Sequence, residues 1–147
     1  MDVKKERERL ALLLAQEGWQ PKTGQACRDP ESTSMADWRW RLADCCWLSS
    51  TGRPPAGPAL SASLERAKKA GPDLSDDVTV DSLLLGRDFQ VQLDEEGDFE
   101  DPRGPDGPVW VVTVQCSYSG VTSFHHDRAC AIATAHLGEL RRAKEIT

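Results

Sequence analysis

Apolar residues at the start of the chain recur at helical spacing. Leu10, Leu13 and Leu14 form a narrow stripe, Val3 lies one heptad before Leu10, and Lys4, Lys5, Arg7 and Arg9 alternate with Glu6 and Glu8 on the wet side. The pattern predicts a helix over residues 2–17, stopped by Gly18, with Trp19 folding back onto it. Residues 20–33, with Pro21, Gly24 and Pro30, read as a loop. A second helix is expected over residues 34–49. There Met35, Trp38, Leu42, Cys45 and Cys46 share a face at 3.6 residues per turn, and Ser34 with Asp37 resembles a capping box. Trp40 and Trp47, seven apart, point to another side of that helix.

After a turn-rich stretch over residues 51–58, a third helix is expected at 60–70. It is entered through Pro58 and closed by Gly71-Pro72. Residues 73–86 carry two signals, a strand-like Val78-Thr79-Val80 and a helical turn through Val80, Leu83 and Leu84; a short helix is preferred. Residues 88–94 alternate through Phe89, Val91 and Leu93, which predicts a half-buried strand. Residues 109–117 are the strongest strand, with Trp110, Val112, Val114 and Cys116 on one face. Ser119-Gly120 turns it, and residues 121–125 return as the hairpin partner. A last helix over 127–143 has Asp127 as its cap and a small-residue core side of Ala129, Cys130, Ala133, Leu137 and Leu140. The expected fold class is therefore α+β: N-terminal helices followed by a three-stranded antiparallel sheet and a C-terminal helix. It is read as one domain over 1–147, with a helical part at 1–72 and an acidic segment plus β-β-β-α part at 73–147.

Composition changes this picture mainly through charge. The net charge is −6, but residues 73–106 hold 12 of the 24 carboxylates and 2 of the 18 Lys and Arg, a local −10, and the remainder of the chain is at +4. Alternate positions Asp94, Glu96, Asp98 and Glu100 suggest a calcium loop, but the Gly falls at the fourth place and no closing Glu follows, so a solvated loop is the expectation. The five cysteines are odd in number and follow no secretion signal, which predicts reduced thiols and a cytoplasmic protein. No apolar run reaches the length of a membrane helix.

Candidate chemistry is sparse. No phosphate-binding loop of the Walker type, dinucleotide fingerprint or nucleophile elbow is present in the sequence. His126, Cys130 and His136, with Cys116 as a conceivable fourth ligand, lack the close Cys pairs that mark zinc sites, and no metal or other cofactor is expected. Gly104-Pro105-Asp106-Gly107-Pro108 followed by Val109-Trp110-Val111-Val112 and continuing to His136-Leu137-Gly138-Glu139-Leu140 resembles the second half of a double-stranded-RNA-binding domain. The resemblance implies a strand hairpin followed by an Ala-rich helix. Where that family places a Lys cluster this chain reads His126-Asp127-Arg128, so direct nucleic-acid binding is not expected.

What remains is a non-enzymatic acidic binding protein that docks on a basic, nucleic-acid-binding surface of another protein. In composition it is similar to small phage-type inhibitors. The candidate contact residues are Asp94, Glu95, Glu96, Asp98, Glu100 and Asp101, together with Trp40 and Trp47, for which burial on a second apolar face is the competing reading. Rival readings are a structural subunit of a phage or cellular assembly, and a small hydrolase or transferase with a site at His125, His126 and Cys130.

Overall fold

The computed structural model describes residues 2–31, 38–44, 46–94, 108–115 and 120–146. Within them the chain runs α1 (Val3–Gln16), β1 (Ala26–Arg28), β2 (Arg39–Leu42), β3 (Trp47–Ser49), α2 (Pro58–Ala70), α3 (Asp77–Ser82), β4 (Asp88–Asp94), β5 (Val109–Gln115), β6 (Gly120–His125) and α4 (Arg128–Ile146). It is a mixed helix and strand fold with two three-stranded antiparallel sheets, β1-β2-β3 and β4-β5-β6.

The second sheet and its helix follow the hydrophobic pattern closely. Phe89, Val114 and Val121 stand in register, as do Val91, Val112 and Ser123, and Leu93, Trp110 and His125. In an antiparallel sheet such cross-strand partners share a face, and α4 packs against that face at β5 and β6. The Ser123 hydroxyl donates to the carbonyl of Ala131 at 2.6 Å, which fastens the strand to the helix. On its other side α4 meets α1. The small side chains Ala129, Cys130, Ala131, Ala133 and Ala135, all buried, let one helix approach both neighbours closely. Asp127 caps α4 by accepting from the Cys130 N–H at 3.1 Å. The short helix α3 is set the same way, Asp76 accepting from the N–H and the hydroxyl of Thr79 at 3.1 and 2.6 Å.

The N-terminal half departs from expectation. The helix expected over residues 34–49 is not formed. Its described part is the hairpin β2–β3, with Trp40 opposite Cys27 on one side and Ser49 on the other, and residues 32–37 and 45 lie outside the described residues. The physical reason is visible in Trp38-Arg39-Trp40-Arg41-Leu42: apolar and cationic side chains alternate with period two, the repeat of a strand, in residue types that favour strands. The loop expected at 20–33 supplies β1. Segment 72–73 then lies along β1, through a bridge between Cys27 and Pro72 and a hydrogen bond from the Asp73 N–H to the Ala26 carbonyl at 2.8 Å. A further N-terminal sheet therefore accompanies the expected C-terminal one, and α1, β1, β2, α2, α3, β5 and α4 contribute to a continuous apolar core.

Candidate functional site

The acidic run divides on folding. Asp73 and Asp76 are buried and face β2: the Arg39 guanidinium reaches Asp73 at 2.6 Å, and Arg41 grips Asp76 through two bonds of 2.9 and 3.1 Å. Asp81 pairs with Arg128 at 2.8 Å. Asp73, Asp76 and Asp81 are therefore each matched by an arginine, while Asp77, the first residue of α3, is exposed. Further along, Asp88 stands exposed at the start of β4 and Asp94 closes that strand, paired in register with Val109. The other predicted contact residues, Glu95, Glu96, Asp98, Glu100 and Asp101, lie outside the described residues.

Trp40 and Trp47 do not share a helix face. Trp40 is fully buried and its indole N–H donates to the Ser63 hydroxyl of α2 at 3.1 Å; Trp47 is half-buried and packs against the core. Trp38, placed by the helical pattern on the core-facing side, is only half-buried. For Trp40 the structure therefore shows burial, the competing reading: from the central strand of its sheet the ring faces α2.

The three imidazoles are engaged one by one, and Cys45 and Cys116 lie outside the described residues. His125 Nδ1 accepts from the Asp127 N–H at 2.9 Å, His126 Nδ1 sits 3.0 Å from the Pro108 carbonyl, and His136 pairs with Glu139 at 3.3 Å. Burial pushes the Cys27 thiol up to about 12, and burial together with the neighbouring Asp127 carboxylate pushes Cys130 up as well. A thiol held protonated is a poor nucleophile and a poor metal ligand. Among the described residues no group of three His, Cys, Asp or Glu side chains could hold a metal ion. Cys46 is exposed. Under native conditions iodoacetamide should label Cys46 well before Cys27 and Cys130, which should react only on unfolding. Peptide mapping of a time course checks this, and early modification of Cys130 would contradict its burial.

Three buried or half-buried carboxylates sit below the usual range. Burial alone would raise Asp76, but Arg41 and Thr79 outweigh it; Asp29 is lowered by Arg66 in the same way, and Asp127 by Arg7 and the Cys130 thiol. Since each folded value lies below the ordinary 3.8, the native state binds fewer protons than the unfolded chain in acid. The stability these groups contribute is complete above that value and is lost as pH falls through the folded ones. The urea midpoint should therefore fall steeply below about pH 4. Asp76→Asn should be less stable at neutral pH and show a shallower acid decline. A parallel acid decline in that variant would remove Asp76 from the account.

Sequence reasoning missed the Arg39, Arg41, Asp73 and Asp76 cluster and a cleft of about 780 Å³ between α1, residues 28–31, the end of α2 and residues 71–75. A signal for the first was the Arg-Trp alternation. A signal for the second was Leu12, the first of three consecutive leucines, which a stripe of Leu10, Leu13 and Leu14 leaves outside.

Compared with known protein families, curated proteins and solved structures, the chain matches none. No helix among the described residues is long and apolar enough to cross a membrane.

Proposed function

We propose that this chain is a non-enzymatic binding protein that sets an acidic edge against the basic, nucleic-acid-binding surface of another protein. The observation that carries the reading is the place of β4. It is an edge strand with β5 on one side, its residues Asp88, Gln90, Gln92 and Leu93 are exposed, and it leads directly into residues 95–106 with six carboxylates against one Arg. Asp73, Asp76 and Asp81 are matched by arginines, Asp77 and Asp88 are exposed, and the run's remaining carboxylates follow in sequence from Asp94 on. The negative field of such a run accelerates encounter with a basic surface and competes with nucleic acid for it. The protonated thiols and locally bonded imidazoles support binding over catalysis.

The test is capture from lysate at low and high salt, beside a variant with Glu95, Glu96, Asp98 and Asp101 changed to Lys. The native chain should retain a basic protein, release it in high salt, and lose it to added nucleic acid. The variant should associate at least about tenfold more slowly at low salt. Equal association rates for the two would remove the acidic segment from the interface.

A further inference from the structure

β4 offers more than charge. Resting on the docking edge proposed for it, we infer that the partner adds an extended segment to β4 as a further strand, and that this segment alternates apolar and cationic residues. β4 runs seven residues, Asp88–Asp94, and pairs with β5 one for one. Its other side pairs with no strand among the described residues. A strand so placed presents a row of backbone N–H and C=O groups that a second chain can use. The usual obstructions are absent from it: β4 holds no Pro and no Lys, and no bulge twists it away.

Two rows of side chains set the chemistry of the added strand. Phe89, Val91 and Leu93 stand opposite Val114, Val112 and Trp110 of β5, on the side of the sheet that α4 covers. At the margin of that cover Phe89 and Val91 are half-buried and Leu93 is 40% exposed. Asp88, Gln90, Gln92 and Asp94 form the other row, and the first three are exposed. An incoming strand places successive side chains beside one row and then the other. Apolar residues on its first face extend the sheet's apolar side past Phe89, Val91 and Leu93. Lys or Arg on its second face meet the aspartates and the amides between them. The wider field has the same sign, with a net charge of −6 on the chain and six carboxylates against one Arg over residues 95–106. A second copy paired in full register would set aspartate against aspartate and join two chains of net −6, which argues against β4 itself as the occupant.

A blocked peptide of the same length as β4, alternating Val and Lys, tests this on the full chain. Its control has the same composition with Val and Lys in two separate blocks. Titration and hydrogen exchange are followed by NMR. The alternating peptide should bind at least about tenfold more tightly than the block peptide, since only alternation forms several apolar and charged cross-strand pairs at once. At saturation it should slow exchange at alternate β4 amides, those directed away from β5, by at least about tenfold. The double variant Gln90→Lys, Gln92→Lys should bind it at least about tenfold more weakly, because two cations then face the incoming lysines. Both glutamines are exposed, so an unchanged melting temperature should confirm that the variant folds. Equal binding of the two peptides without β4 protection would overturn the strand addition and leave the acidic docking edge standing, since charge alone would then hold them. No binding of either would overturn it as well, while capture of a whole basic protein judges the docking edge separately. A dimer of the free chain with its outer β4 amides already slow would give the edge to a second copy and overturn it too.

Discussion

Trp40→Ala should cost about 3–5 kcal/mol, the range of a large buried aromatic truncated in a packed core. Trp40 is fully buried on the central strand of the first sheet, and its ring is in the core cluster with Leu64 and Ala67 of α2. Truncation opens a cavity there and also strips the Ser63 hydroxyl of its donor at 3.1 Å. Both losses fall on a domain whose whole stability is on the order of 5–15 kcal/mol. Trp40→Phe keeps most of the ring and loses the N–H bond, so it should cost about 1 kcal/mol plus a small packing term and keep the protein measurable if the alanine variant unfolds. Trp47→Ala, at a half-buried position, should cost clearly less than Trp40→Ala. Urea unfolding followed by circular dichroism ranks the three. A ranking with Trp47 above Trp40 would mean that the first sheet does not meet α2 through Trp40.

The misreading of this segment has a physical origin. Met35, Trp38, Leu42, Cys45 and Cys46 fit a helical face, while Trp38, Trp40 and Leu42 fit a strand, and one chain satisfies both patterns. Strands of three or four residues, such as β1, β2 and β3, carry too few positions for periodicity to decide. Their partners do, and those are distant: the carboxylates that fix Arg39 and Arg41 lie 34 and 35 residues away. Where the pattern was long and local it sufficed, as in α1, α2, α4 and the apolar faces of β4 and β5. The expected short helix with Val80, Leu83 and Leu84 inside is α3 and the turn after it, because Asp76 supplies the cap. The concentration of charge in residues 73–106 was plain as a count, but which carboxylates stay unmatched depends on arginines brought in by folding. The cleft was invisible for the same reason, since α1, α2 and two connecting segments build it together.

Gly71→Ala should be the most damaging conservative change in the chain, a loss of about 4 kcal/mol or more. The sequence marks Gly71-Pro72 as the end of α2, and Gly71 does cap that helix, but its second role is contact. Its φ is +89° and its ψ −172°, a backbone region essentially closed to side chains and worth on the order of 1–3 kcal/mol of strain to any other residue. A Cβ there would also stand 1.9 Å from the carbonyl oxygen of Ala11 and 2.5 Å from its carbon. Those atoms belong to helical backbone and cannot rotate aside, so α1 as a whole would have to retreat. Retreat would draw Leu10 and Leu14 out of the core and strain the paired bonds from Arg7 to Asp127 at 3.0 and 2.8 Å. Gly24→Ala and Gly52→Ala separate the two penalties. Both glycines have positive φ, at +93° and +81°, and neither Cβ would meet an atom within 4 Å, so each change should cost about 1 kcal/mol from backbone strain alone. Urea midpoints of the three variants give the comparison. Gly71→Ala should lie far below the other two or fail to fold; a midpoint level with theirs would mean that α1 and α2 do not approach as closely as the 1.9 Å contact requires.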